Sequence, residues 1–353
     1  MKTDTKTGGF SSLGEFAVSV RKHIDGVSRN GRLDEWAQKT MTEGTDSSGG
    51  FVVPEQFADE IRDYGLEGAI VRPRATVLPM VRDTVNIPVL EDSDRSSSIF
   101  GGVTFTWLEE TGAKHYDTVA SKPVISNLKL TAHEGVATTF VQNALEDDYE
   151  KEPKKFGDFI TLAFGRACRF YEDYYFINGN GVGQPLGALN SPGIIKIARS
   201  GVDGINLVDF GNMAARLIPS SWPTAVWLIN QTALAQLLDM QGTTANQASF
   251  FDVGSNTILG RPVLITEKLA AMGSENDVLL ADFMNGYVIG DRQLEIAGSR
   301  HVDYSANNQG FLQNQTFWKV VLRCDGQPVL KTAITPNQGG STLSHFVVLT
   351  STS

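Results

Sequence analysis

Two cysteines in 353 residues, Cys168 and Cys324, lie too far apart in the chain to suggest a disulfide framework; they predict two reduced, buried thiols. Long hydrophobic runs are missing as well: none approaches the roughly 18–20 residues that a bilayer span needs. The opening Met1-Lys2-Thr3-Asp4-Thr5-Lys6 leads into no continuous apolar stretch, so no secretory signal is expected. Without one, the glycosylation pattern at Asn230-Gln231-Thr232 and Asn314-Gln315-Thr316 carries no weight. Basic residues are also short, 30 Lys and Arg against 40 Asp and Glu, for a net charge of −10 and a pI near 5.0. Residues 1–45 hold seven basic and six acidic side chains, so the acidic excess lies in the rest of the chain. Such a balance gives no electrostatic footprint for a phosphate backbone.

Catalytic signatures are equally scarce. No Gly-Lys dipeptide occurs, which excludes a phosphate-binding loop of the nucleotide-hydrolase type, and no Gly-x-Ser-x-Gly elbow is present. Gly179-Asn180-Gly181-Val182-Gly183 follows a helical pattern instead of preceding one, so it meets the wrong end of the helix dipole for a pyrophosphate. It reads as a helix stop with glycine in the left-handed cap. The five histidines, His23, His115, His133, His301 and His345, are scattered, and His133-Glu134 lacks the second histidine of a zinc site. Glu109-Glu110 and Glu146-Asp147-Asp148 read as a solvated tip and a helix start. No catalytic, cofactor or metal residue is expected.

What is present is an ordinary soluble composition, 41% hydrophobic and 20% charged, on a chain long enough for two domains or one elaborated one. Residues 1–46 form a polar arm with two short amphipathic pieces, Leu13–Val20 and Leu33–Met41, and too few apolar residues for a core of its own. The arm is expected to be held by something outside its own fold. The string Ser47-Ser48-Gly49-Gly50-Phe51-Val52-Val53-Pro54 ends it: paired Ser and Gly hold no regular element, Phe51-Val52-Val53 is β-prone, and Pro54 pre-sets a helix near 55–64.

From Val71 to Val89 the chain reads as extended, broken by Pro73, Pro79 and Pro88. The β-prone runs Val103–Trp107 and Val124–Leu130 flank a charged tip, Glu109 to His115, in the pattern of a long hairpin. An excursion of about 35 residues that cannot bury both faces is usually functional. Trp107 on this ribbon is a candidate interface anchor. Pro153 opens the clearest element, a helix to Ile177 with Phe156, Phe159, Ile160, Ala163, Phe164, Ala167, Phe170, Tyr171, Tyr174 and Ile177 in steps of three and four, read as one core-facing stripe. Further on, Leu207–Ile218 reads as a helix ended by Pro219, Ala225–Ile229 as a buried strand, and Asn230 as the cap of a helix through Met240. Strands are expected at 262–266, 277–281, 287–289, 294–297, 316–323, 329–335 and 346–350.

In this order the chain resembles the tailed-phage major capsid proteins of the Hong Kong 97-like fold over roughly residues 45–353. The resemblance is carried by the Ser47–Pro54 entry string, Val77-Leu78-Pro79-Met80, Ile87-Pro88, Trp107-Leu108-Glu109-Glu110, Asn178-Gly179 with Pro185-Leu186-Gly187, Trp227-Leu228-Ile229-Asn230, Leu259-Gly260-Arg261-Pro262-Val263, Asp282-Phe283 with Tyr287-Val288-Ile289 and Asp291-Arg292, and Arg323-Cys324-Asp325-Gly326. It implies an α+β fold with an N-terminal arm (1–46), a peripheral domain (47–89, 131–187 and 292–332) carrying a spine helix at 153–178, an extended hairpin loop (90–130), and an axial domain (188–291 and 333–353).

The function so implied is structural: hexamers and pentamers of an icosahedral phage head that encloses double-stranded DNA, assembled in the host cytoplasm and residing in the virion. Implied partners are other copies of the chain, a separate scaffold (46 residues being short for a built-in one), a portal and decoration proteins. Trp107, Glu109, Glu110 and Lys114 become the expected inter-subunit contacts. Some relatives join a hairpin lysine to a neighbour's asparagine with the aid of a glutamate. Lys114 and Asn314 fall in comparable regions, but Val321 stands near the expected glutamate, so nothing takes up the lysine proton. An encapsulin-like compartment shell shares the fold and is the alternative within this class; an enzyme with an unrecognised site is the alternative outside it.

Overall fold

The computed structural model describes residues 9–27, 31–40, 51–53, 68–90, 93–95, 125–144, 153–201, 204–242, 251–252, 254–300, 303–305, 308–309 and 313–351. The chain divides into two compact units, Met1–Ala69 with Ala132–Glu172 and Asp291–Cys324, and Ile70–Thr131 with Asp173–Gly290 and Asp325–Ser353.

The first unit is built on a sheet in the order β1 (Phe51–Val52), β12 (Tyr287–Ser299), β15 (Gln315–Pro328), β5 (His133–Gln142). Phe51 and Val52 pair with Ile296 and Glu295, so the β-prone entry string forms the strand its composition predicts. Helix α1 (Leu13–Ile24) is capped by Ser12, whose side chain accepts from the Glu15 N–H. Its apolar face, Leu13, Phe16, Ala17 and Val20, is buried. This overturns the expectation of an arm held from outside: α1 is tied to its own chain. Gly14 meets Gly157 so closely that a Cβ on Gly157 would lie 2.6 Å from the Gly14 nitrogen. Asp25 accepts from Ser299 Oγ and the Arg300 N–H at 3.0 and 3.1 Å.

Helix α3 (Pro153–Asn178) covers the predicted range. α1 (Leu13–Ile24) and α2 (Gly31–Thr40) likewise answer the two amphipathic pieces of the arm. The single core-facing stripe read on α3 is two faces, however. Ile160, Phe164, Phe176 and Ile177 are buried, whereas Phe159, Tyr171 and Tyr174 are 45%, 56% and 42% exposed. Ten apolar residues at steps of three and four cover more of the circumference than one contact face can bury. Gly179 ends the helix, but not in the left-handed region; its backbone lies against the Tyr175 and Pro185 carbonyls where a Cβ has no room, and Gly181 and Gly183 take the positive φ angles.

The second unit holds a seven-stranded mixed sheet, β6 (Ile195–Ala198), β16 (Phe346–Thr350), β11 (Val278–Ala281), β7 (Val226–Asn230), β10 (Arg261–Thr266), β9 (Thr257–Ile258) and β8 (Phe251–Asp252), in that spatial order. Strand β7 is buried throughout, as a continuous apolar run between two neighbours should be. Trp227 packs edge-on against Phe210 of helix α4 (Leu207–Ala215) at 5.2 Å, and its indole N–H donates to the Ile258 carbonyl. Asn230 caps the turn into helix α5 (Leu234–Gly242) through the Thr232 N–H. Helix α4 stops three residues before the predicted end, because Ile218, preceding Pro219, is pushed to extended backbone.

Two strand expectations change and one pairing is added to them. Residues 125–131 (β4) pair over seven positions with 84–90 (β3), while the expected partner run, 103–107, lies outside the described residues. The separate strands at 287–289 and 294–297 are one strand, because Gly290 makes room for Met80 and Leu130 instead of making a turn. Residues 329–335 form no strand; isolated bridges at Ile334–Leu343 and Asp94–Thr335 hold them.

Candidate assembly surface

Among the described residues β5 is the last strand of the first unit's sheet, and its ten residues pair with β15 without a break in register, from Gln142 opposite Gln315 to His133 opposite Cys324. Val136, Thr138, Phe140 and Val141 favour a pleated surface, as do Thr316, Phe317, Trp318, Val320 and Val321 opposite them. Successive side chains alternate between the two faces. Thr316, Trp318 and Val320 enter the core, with Gly298 stacked closely against the Trp318 ring. The other face carries Gln142 beside Gln315, Phe140 beside Phe317, Thr138 beside Lys319, Val136 beside Val321, and Glu134 beside Arg323. Phe140 and Phe317 rings lie 6.1 Å apart, and Glu134 forms an ion pair with Arg323.

All five of the β5 residues on this face are exposed, Val136 at 56% and Phe140 at 55%. A single exposed apolar residue is normal on a protein surface. Here two of them lie on one strand face, beside half-buried Phe317 and buried Val321 and closed at one end by a charge pair, as at an interaction site. At the far end Asn314, in left-handed backbone at φ 55°, accepts at Oδ1 from Asn143 Nδ2 at 2.7 Å, while Thr316 Oγ1 donates to Asn143 Oδ1.

Of the residues expected at the interface, Trp107, Glu109, Glu110 and Lys114 lie outside the described residues, as does the hairpin tip that carries them. The paired stem at 84–90 and 125–131 belongs to the second unit. Sequence reading does not single out Val136 and Phe140. Their signal is the period-two alternation through 134–142, which places them on one face but does not say whether that face is covered.

The second unit contains a Ser, His and Asp together that no sequence motif announces. Ser221 Oγ is 2.7 Å from His345 Nδ1, and Asp282 Oδ2 is 3.7 Å from the same nitrogen. An acyl-transfer triad needs its hydroxyl and carboxylate on opposite ring nitrogens. Both meet one nitrogen here, and Ser221 is fully buried, so the group is a structural clamp. Asp282 also accepts from Thr224 Oγ1 at 2.8 Å, Asn285 Nδ2 at 2.8 Å and the Met284 N–H at 3.2 Å. Burial pushes the Asp282 carboxyl up, but the contacts from His345, Asn285, Ser221 and Thr224 outweigh it and hold it well below the usual carboxylate range. Neither Cys168, half-buried, nor Cys324, buried, is in a disulfide. Among the described residues no three metal-ligating side chains cluster, and no helix is long and apolar enough to cross a membrane.

Residues 49–339 match the family model of the phage capsid family. No curated protein sequence matches the chain. Among solved structures the chain is similar to the capsid of an empty GTA particle, at 16% identity and a TM-score of 0.60, covering 92% of this chain and 100% of that one. It is similar also to a chain of Mycobacterium phage Adephagia (19% identity, TM-score 0.54, 80% and 90% covered) and to one of Microbacterium phage Oxtober96 (17%, 0.52, 89% and 97%). At these identities the structures speak for the mixed helix-and-strand fold, and the family match speaks for the role. The chain belongs to the phage capsid family, as a structural, non-enzymatic protein that assembles with other copies into the shell of a virion.

Proposed function

We propose that this chain is the major capsid protein of a tailed phage, in the Hong Kong 97-like arrangement, and that its copies form the hexamers and pentamers of an icosahedral head around double-stranded DNA. The layout is an arm (1–46), a peripheral domain (47–89, 131–187 and 292–332), a hairpin loop (90–130) and an axial domain (188–291 and 333–353). The DNA is enclosed without sequence-specific binding, in keeping with a net charge of −10. Scaffold, portal and decoration proteins act with it, and assembly takes place in the host cytoplasm.

The observation that carries this reading is the exposed apolar pair Val136 and Phe140 on the face of β5, in a chain of a shell-forming family. In the shell, the hairpin of an adjacent copy lies across that face, Trp107 against Val136 and Phe140, with Glu109, Glu110 and Lys114 meeting the charges at its rim. Interface energy concentrates in a few such anchors, and truncating one costs about 2 kcal/mol or more. Phe140→Asp and Trp107→Ala should each leave the unassembled subunit folded, by its thermal melt, and reduce the closed shells seen by electron microscopy. Normal shells from Phe140→Asp would sink the reading of the face; normal, equally stable shells from Trp107→Ala would remove the hairpin as its occupant. The contact is noncovalent: Val321 offers no acceptor for the lysine proton where a glutamate would be needed. Shells boiled in detergent should therefore run as single chains, and a ladder of multimers would refute this.

A further inference from the structure

We infer that two copies of this chain pair edge to edge through β5, antiparallel, about a two-fold axis at Thr138. The inference rests on membership of a shell-forming family and not on the hairpin reading above, which concerns the face of the sheet and not its edge.

Sheet edges expose unpaired N–H and C=O groups, and proteins blunt them with short strands, lysine, proline or bulges. The other edges here follow that rule: β1 and β8 have two residues each, and β6 has four with Lys196 among them. Strand β5 breaks it. It runs ten residues, contains neither lysine nor proline, keeps unbroken register with β15, and has no strand on its other side among the described residues. A long, regular, unprotected edge is a template for another strand.

The occupant follows from the sequence of the edge itself. Residues directly opposite each other in an antiparallel pair share a face. For two copies to keep their exposed residues, 134 to 142 by twos, on one side, the axis must pass through a residue rather than between two. Centred on Ala137, the pairing sets Glu134 against Phe140 of the second copy. Centred on Thr138, it sets Glu134 against Gln142, Val136 against Phe140 and Thr138 against Thr138. Polar then meets polar, a β-branched residue meets an aromatic, and threonine meets threonine, which are favoured cross-strand pairs. Glu134 brings no uncompensated charge to the seam, since Arg323 of its own chain holds it. The strand is its own complement.

The register makes a geometric test possible. At the axis the two Thr138 Cα atoms lie about 4.5–5.5 Å apart, within the range a disulfide bridges. The two Val136 Cα atoms, four residues apart along the strands, lie about 13 Å apart and out of reach. Shells of Thr138→Cys, oxidised with diamide and run on a nonreducing denaturing gel, should convert mostly to dimers. Val136→Cys shells should stay at the background set by Cys168 and Cys324 in the unmodified chain. Shells co-assembled from Val136→Cys and Phe140→Cys chains should cross-link where neither does alone. Thr138→Cys shells that stay monomeric, or Val136→Cys shells that dimerise as readily, overturn the pairing. If Thr138→Cys gives no shells, the Val136 and Phe140 pair reads the same register without touching the axis. Thr138→Lys, which opposes like charges at the axis, should lower shell yield severalfold at low salt with recovery at high salt; a yield independent of the substitution also overturns it.

Discussion

Replacing Gly157 by alanine tests whether the amino-terminal helix belongs to the fold of its own subunit. Gly157 lies in the first turns of the long helix, in ordinary helical backbone, so alanine has no conformational objection and on propensity alone gains about 1 kcal/mol. The added Cβ, however, meets the Gly14 nitrogen at 2.6 Å, its Cα at 3.2 Å and the Leu13 carbonyl carbon at 3.5 Å. These are backbone atoms, so no rotamer change relieves the contact, and α1 has to retreat by roughly 0.8 Å to reach an ordinary carbon–nitrogen separation of about 3.4 Å. Overpacking of this kind costs about 1–3 kcal/mol. Releasing α1 altogether would expose Leu13, Phe16 and Val20, at about 1.5–3 kcal/mol each, which is more than the clash. The helix therefore shifts without detaching, and the net loss is about 0–2 kcal/mol once the propensity gain is subtracted. Urea denaturation of the unassembled subunit measures it. Gly211→Ala, in exposed helix with nothing within 4 Å of the new Cβ, is the control and should gain about 0.5–1 kcal/mol. If Gly157→Ala is as stabilising as Gly211→Ala, α1 does not pack where the structure puts it.

Deleting residues 1–27 should lower the thermal midpoint of the isolated subunit, because it uncovers the partners of Phe10, Leu13, Phe16 and Val20; an unchanged melt would restore the view of a detachable arm. Asp282 has a folded pKa below its ordinary value, so its ionised form stabilises: the contribution is complete above about pH 4 and is lost as pH falls below that toward the depressed value. Asp282→Asn should accordingly start less stable at pH 7 and lose less between pH 4.5 and 3 than the wild type, by denaturation midpoints across that range; parallel curves would refute the assignment. Arg199 Nη2 and Asp277 Oδ2, 2.5 Å apart and both buried, form a pair whose breaking by Arg199→Met leaves a buried carboxylate uncompensated, at about 3–5 kcal/mol in a thermal melt, and a loss under 1 kcal/mol would show that water reaches the pair.

Local patterns carried much of this fold. The proline start and the three-and-four spacing are enough to find the helix at 153–178, and the run Val226–Asn230 is enough to find a strand buried on both faces. Two errors concern what an element is: the strand expected at 329–335 does not form, and the ten-residue strand at 133–142 is not among those expected. The others concern what an element meets. Nothing in the sequence links the glycines at 14 and 157 until they face each other, or Gly290 to Met80 until Met80 fills the space beside it. The apolar stripe of the long helix is correct in period and wrong in width, because periodicity does not report how much of a face has a neighbour. Strand β5 is the clearest case: its alternation is legible, but whether Val136 and Phe140 face a core or open space depends on residues some 180 positions away.

The acidic balance gains a second meaning inside the molecule. Every buried carboxylate among the described residues is an aspartate, at 173, 209, 277, 282 and 325, and all belong to the second unit. Each accepts from backbone N–H groups that no ladder or helix serves. Asp173 takes Ile70 and Val71, Asp209 takes Ser200 and Asn206, and Asp277 takes Gly273. Asp282 takes Met284 and Asn285, and Asp325 takes Thr131 and Gly326. A buried N–H without a partner costs more than a typical hydrogen bond contributes, so each turn that the chain brings inside needs such an acceptor. Glutamate, one methylene longer, loses more side-chain freedom on being fixed so close to the backbone. In a subunit that must meet many neighbours in fixed geometry, these carboxylates hold connections at set positions over sequence separations of up to 194 residues, as between Thr131 and Asp325. The charge that argues against nucleic-acid attraction on the outside is, on the inside, what keeps the turns in place.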